Sequence, residues 1–144
     1  MKIGLGSDHK GYKIKEKLKK YLNENGYDVL DYGTDNENST DYPVYAFKVC
    51  ENVRDKNIDF GILICGTGIG MSIAANKVKG IRCAKVSSKN EAYLTRLHND
   101  SNVMALGSDL SFSKIKKIVL TYITTDFSND ERHKRRIEMV DNYD

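Results

Sequence analysis

A single cysteine, Cys65, stands where an apolar run, Phe60 to Ile64, gives way to a glycine-rich turn, Gly66-Thr67-Gly68-Ile69-Gly70. A helix-forming stretch, Met71 to Lys77, follows at once. A strand–glycine loop–helix unit collects free backbone N–H groups at a helix N-terminus, where negative charge is favoured. A thiol at the mouth of such a site is a base or nucleophile beside an oxyanion hole, and a helix N-terminus favours the thiolate. Away from the loop it would read as a small core hydrophobe, as Cys50 in a helix and Cys83 in a strand do. Three glycines in five residues exceed what a tight turn requires, which points to close approach of a ligand.

The loop fails the tests for two nucleotide-binding motifs. The pattern G-x-G-x-x-G breaks at Met71, the strand ending at Val86-Ser87 lacks a ribose-binding acid, and no lysine makes the turn a Walker loop. Asp8-His9, after the first apolar run, suits sugar hydroxyls or a phosphate, or else a helix cap and a surface imidazole. Arg132 and Arg136 lie four apart on one helix face, with His133 and Arg135 adjoining. Clustered guanidiniums bind phosphate bidentately; the competing reading is a solvated basic face partly neutralised by Glu131, Glu138 and Asp141. The only histidines are His9, His98 and His133, and no pair falls at helical ligand spacing. A three-histidine zinc site is the minority reading, and no metal is expected.

These residues need a scaffold, and apolar runs alternate with helical patterns to supply it. Strands are expected at Ile3–Gly6, Val29–Tyr32, Phe60–Ile64, Ile81–Val86 and Val103–Leu106. Helices are expected over Tyr12–Asn25, closed by Gly26, then from Pro43, from Met71, over Ser88–Leu97, Ser111–Tyr122 and Glu131–Asp141. In the first helix Ile14, Leu18, Tyr21 and Leu22 form the apolar stripe and lysines fill the other faces. Phe60–Ile64 is apolar on both faces, as in the middle of a parallel sheet. The fold class is α/β: a Rossmann-like three-layer sandwich on a five-stranded parallel sheet, one domain over residues 1–144. Ligands in such folds sit beyond the carboxyl ends of the strands. By chain tracing His98-Asn99-Asp100 lies at the opposite edge. It reaches the site only if its helix points that end inward or if it serves a neighbouring subunit.

The balance of 23 Lys+Arg against 20 Asp+Glu gives a formal charge of +3. This is too little and too local for a nucleic-acid surface. Three unpaired-looking cysteines indicate a reducing compartment. With no signal-like or membrane-spanning run, a cytoplasmic protein is expected.

Taken together, these residues resemble the ribose-5-phosphate isomerase B family, which also holds isomerases of allose 6-phosphate and galactose 6-phosphate. The resemblance runs over nearly the whole chain. It is carried by Gly6-Ser-Asp-His9, Gly33-Thr34, Thr40-Asp-Tyr-Pro43, Ile64 to Gly70, Ile73 to Lys77, Gly80-Ile-Arg82, His98-Asn-Asp100, Asn102-Val103 and Arg132-His133. It implies cofactor-free, metal-free interconversion of D-ribose 5-phosphate and D-ribulose 5-phosphate through a cis-enediolate, a step of the pentose phosphate pathway. Cys65 matches the base that moves a proton between C2 and C1. Gly66, Gly68, Ile69 and Gly70 match the oxyanion hole, Thr67 the proton shuttle between O1 and O2, and His98 the group that opens the furanose ring. Asp8 and Asn99 match hydroxyl contacts; His9, Arg132 and Arg136 match phosphate contacts. Members are homodimers or homotetramers with sites shared between subunits, the helix at about 130–143 being expected to pack on the partner. Ser39 and Asp109 stand where bacterial members carry arginines, which leaves the preferred sugar open between ribose and a six-carbon phosphate. A non-catalytic sensor of a phosphate ligand using the same pocket is the competing class.

Overall fold

The computed structural model describes residues 1–143; the last position of the expected 1–144 domain lies outside them. The chain alternates strand and helix: β1 (Lys2–Ser7), α1 (Tyr12–Glu24), β2 (Asp28–Asp31), α2 (Tyr42–Arg54), β3 (Phe60–Cys65), α3 (Ile69–Ala75), β4 (Cys83–Lys85), α4 (Lys89–Asn99), β5 (Val103–Gly107), α5 (Phe112–Thr124) and α6 (Glu131–Asp141). The five strands form one parallel sheet in the order β2-β1-β3-β5-β4. The expected three-layer architecture is what forms.

Alternation along the central strands decides the layers. Ile3, Leu5, Ile62, Ile64, Met104 and Leu106 face one side with Leu18 and Leu22 of α1, Ala92 of α4 and Ile115, Ile118 and Val119 of α5. Leu63, Cys65, Val103 and Ala105 face the other with Val49 and Val53 of α2 and Met71, Ala74 and Ala75 of α3. β3 sits in the centre, so both its faces are covered and its run is solidly apolar. Each such buried Leu or Ile contributes about 2 kcal/mol by leaving water. Local signals end the helices as read: Gly26 turns α1 out at φ 86°, Pro43 occupies the first turn of α2, and Ser88 and Ser111 cap α4 and α5.

Most boundaries shift by one or two residues, and two of the shifts have a clear local cause. Helix α3 begins at Ile69, two residues before Met71, because Gly68 already makes the turn at φ 80°. Strand β4 shrinks to Cys83–Lys85, since its pairing with β5 holds only there and Ile81 precedes it in a turn.

One lysine departs from the amphipathic reading of α1. Lys15 is wholly buried, and its ammonium bonds both oxygens of Asp31 at 2.8 and 2.7 Å and Glu16 at 3.2 Å. Burial alone would raise the Asp31 pKa, but hydrogen bonds from Lys15, Lys19 and the Gly33 N–H outweigh it and hold the carboxyl below its ordinary value. We expect D31A to lose about 3 kcal/mol in urea unfolding at pH 7, since it leaves the buried ammonium with Glu16 as its one carboxylate partner. A depressed carboxyl pKa makes this contribution full above about pH 4 and lost as pH falls through the Asp31 value. The gap between wild type and variant should therefore narrow in acid; a loss unchanged at pH 3 would contradict the assignment.

Candidate active site

The strand order reverses between β1 and β3, because the chain leaves β1 toward β2 on one side and toward β3 on the other. The loops there diverge beyond the carboxyl ends and leave a crevice, the usual ligand position in an open α/β sheet. The two loops are Ser7-Asp8-His9 and Cys65 to Gly70. They line a cavity of about 690 Å³ together with Lys10 and the start of α2, including Thr40, Asp41, Tyr42 and Pro43.

Cys65 ends β3 on the floor of this cavity and is 5 % exposed. Its Sγ accepts the Gly68 N–H at 3.1 Å. Gly68 must be glycine: its φ is 80°, and a Cβ would meet the Leu106 carbonyl carbon at 3.0 Å. Thr67 is exposed above the thiol, and its Oγ1 accepts the Ile69 N–H at 3.1 Å. The Gly68 and Ile69 donors expected in the oxyanion hole are thus engaged inside the loop. The N–H groups of Gly66, Thr67 and Gly70 have no acceptor among the described residues.

Asp8 caps the turn ahead of α1 and also lines the cavity. Its Oδ1 accepts the Lys10 and Gly11 N–H groups at 3.0 and 3.1 Å, which fixes a carboxylate only 7 % exposed. Its other oxygen takes no hydrogen bond from the described residues. His9 Nδ1 accepts the Thr40 N–H at 3.2 Å, so a neutral ring carries its proton on Nε2. Cys50 and Cys83 are packing residues, as read; burial drives the Cys50 thiol pKa up to about 12 and the Cys83 thiol higher still.

Sequence reasoning passed over two neighbours. The Tyr42 ring lies flat on Gly70, within 2.8 Å of where a Cβ would stand. The Lys10 stem crosses Gly66 with its ammonium over the loop. The sequence singles out neither: Tyr42 enters only within the Thr40-to-Pro43 run and Lys10 is one of many lysines; proximity, not pattern, marks them.

The remaining expected site residues gather elsewhere. His98 and Asn99 at the end of α4 and Arg136 on α6 line a second cavity of about 880 Å³, with Arg82, His133 and Asp141. Arg82 anchors this edge by donating to the Asn99 and Asp100 carbonyls at 3.1 and 2.8 Å. Since Asn102 just ahead of β5 bonds Arg82 too, the cavity lies at the amino ends of the strands. Arg132 lies exposed on α6, 3.8 Å from Asp130. The expected neutralisation of the basic face is also redistributed: Asp141 pairs with Arg82 at 2.8 Å and Glu131 with Lys134 at 3.4 Å. The two cavities share no residue, so one chain does not bring His98, Asn99 or Arg136 to Cys65. Among the described residues no group of three or more His, Cys, Asp or Glu is arranged to hold a metal ion, and no helix is long and apolar enough to cross a membrane.

Comparison with known proteins agrees with this geometry. Residues 3–140 match the ribose/galactose isomerase family model. The ribose-5-phosphate isomerase B of Escherichia coli is 42% identical over 139 residues, covering 96% of this chain and 93% of that protein. A ribose 5-phosphate isomerase from Thermotoga maritima superposes with a TM-score of 0.96 at 45% identity, covering 99% of this chain and 98% of that one. The ribose-5-phosphate isomerase B of Mycoplasma genitalium, solved with bound ribulose-5-phosphate, superposes at 0.93 with 39% identity, covering 99% and 95%. The thiol at the switch-point crevice, the glycine loop and these full-length likenesses converge: the chain belongs to the ribose/galactose isomerase family.

Proposed function

We propose that this protein interconverts D-ribose 5-phosphate and D-ribulose 5-phosphate through a cis-enediolate, with Cys65 as the base. The observation that carries the reading is the Cys65 sulfur on the cavity floor, beside the glycine-loop donors and the fixed Asp8 carboxylate. A proton alpha to a carbonyl is weakly acidic, so its removal needs a close base and preset donors for the developing oxyanion. One such donor is worth about 3 kcal/mol in the barrier. Cys65 takes the C2 proton of the open-chain aldose and returns a proton to C1. The Gly66, Thr67 and Gly70 N–H groups meet the enediolate oxygen, and the Thr67 hydroxyl moves a proton between O1 and O2. Asp8 holds a sugar hydroxyl and His9 lies toward the phosphate.

The separation of the two cavities supports a homodimer or larger assembly in which His98, Asn99, Arg132 and Arg136 of the partner subunit complete the site. Exposed apolar side chains near each cavity, Val44, Ile69 and Ile73 on one side and Met139, Val140 and Tyr143 on the other, suit such a contact. His98 of the partner subunit would open the furanose ring and the two arginines would take the phosphate. Asp109, whose carboxylate lies against Gly107 beside the Thr67 carbonyl, gives this mouth no cation of its own. With Ser39 also in place of an arginine, a six-carbon sugar phosphate is the second reading.

The test is NMR of D-ribose 5-phosphate with enzyme in deuterated water. We expect ribulose 5-phosphate with solvent deuterium at C1. Ketose from allose or galactose 6-phosphate but not from ribose 5-phosphate would move the substrate to six carbons. Thermal stabilisation by sugar phosphates with no ketose from any would make the protein a sensor.

A further inference from the structure

We propose that Ser128 and His133 are positioning residues that hold His98 in the orientation and proton state required to open the sugar ring. The proposal rests on the ring-opening reading of His98 and adds to it residues to which that reading gives no role.

His133 is the one buried residue of α6, at 8 % exposure on an otherwise solvated helix. Its imidazole centroid lies 4.5 Å from that of His98, with the rings tilted by 43°. Its Nδ1 is 2.9 Å from the Ser128 hydroxyl. Ser128 lies between α5 and α6, and its backbone N–H donates to the Leu97 carbonyl at 3.0 Å, one residue before His98. One serine therefore ties the approach to α6 onto the end of α4 and aims the imidazole that rests on His98. A packing role alone would be met by any apolar ring; the hydroxyl at Nδ1 is what an apolar ring does not use.

The hydrogen bonds also set the proton. Ser128 Oγ accepts the Asp130 N–H at 3.2 Å and has, among the described residues, no acceptor for its own proton other than Nδ1 of His133, 2.9 Å away, to which we assign it. The neutral ring then carries its proton on Nε2. Burial, then repulsion from His98, Arg132 and Arg136, push the His133 pKa below the ordinary imidazole value against the pull of Asp130. A neutral neighbour suits the chemistry. In ring opening the C1–O4 bond breaks, O1 loses its proton and O4 gains one, with no change in oxidation state. His98 passes that proton, and a cation 4.5 Å away would oppose its taking it up. The fixed charges around the pair are Lys77 and Lys79 beyond α3, Arg82 ahead of β4, Asp100 ending α4, and Asp130, Arg132, Arg136 and Asp141 about α6. The variants below leave them unchanged.

Two measurements test this. With only three histidines, ¹H NMR titration follows each ring directly. S128A removes the donor to Nδ1; the His133 midpoint should rise and the His98 ring resonances should shift, while S128T restores both. A His133 midpoint and His98 resonances unmoved in S128A would overturn the coupling, whatever the protein catalyses. Kinetics then separate ring opening from proton transfer. D-ribose 5-phosphate is mainly a furanose, whereas its 4-deoxy analogue has no O4 to close the ring. S128A and H133N should lower kcat/KM about tenfold on the first and less than twofold on the second, with S128T restoring the first. Equal losses on both sugars, or none on either, would overturn the proposal. Wild-type protein that turns over neither sugar would overturn the isomerase reading, and the titration would still decide the coupling.

Discussion

C65A is expected to lower kcat/KM for D-ribose 5-phosphate about a thousandfold, a barrier increase of about 4 kcal/mol. The variant should keep its fold and its ligand. The side chain removed is small, its backbone is held in the β3–β5 ladder, and the proposed hydroxyl and phosphate contacts are assigned to other residues. C65S is the sharper form of the same experiment. It keeps the shape and the acceptor for the Gly68 N–H, yet a serine hydroxyl gives up its proton far less readily than a thiol. A base therefore predicts that serine fails almost as badly as alanine, whereas a packing role predicts that serine rescues. Ribulose 5-phosphate should still raise the melting temperature of both variants. Turnover near wild type in C65A would remove Cys65 from the mechanism.

The second large effect is a gain. C65A and H98N should each be nearly inactive when expressed alone, and a preparation containing both chains should recover about one quarter of wild-type activity. The number follows from two-fold symmetry. Half of randomly paired dimers are mixed. In each mixed dimer the site formed by Cys65 of one chain and His98 of the other is intact, while the second site has lost both. The structure gives the reason to expect this, since the Cys65 and His98 cavities lie at opposite ends of the sheet strands and share no residue. Co-expressed chains that stay inactive would show that the site is completed within one chain, or that His98 takes no part.

What could be read without coordinates was whatever depends on neighbours in sequence. Phe60–Ile64 reads as a central strand because five adjacent residues carry the signal, and the helix ends at Gly26 and Pro43 follow from backbone preferences of those residues alone. The motif around Cys65 was legible because strand, loop and helix are contiguous there, and its full-length likeness to a known family could be seen for the same reason. Even the displacement of His98 from the thiol followed from counting strand and helix ends.

Tertiary structure decided the rest, because it depends on which distant groups compete for the same partner. Lys15 looks like one more solvated lysine until β2 places Asp31 beside it. The loop was expected to offer the Gly68 and Ile69 N–H groups to substrate; folding commits them to Cys65 and Thr67, and leaves those of Gly66, Thr67 and Gly70 free. The salt-bridge partners of α6 are set by where Arg82 comes to lie, not by spacing along the helix. His133 reads as part of a charge run, yet the fold turns it inward against His98, with Ser128 at its back. Helical and strand periods report which face a residue occupies. They carry no record of what the opposing surface brings to meet it, and that meeting sets burial, hydrogen-bond choice and proton affinity.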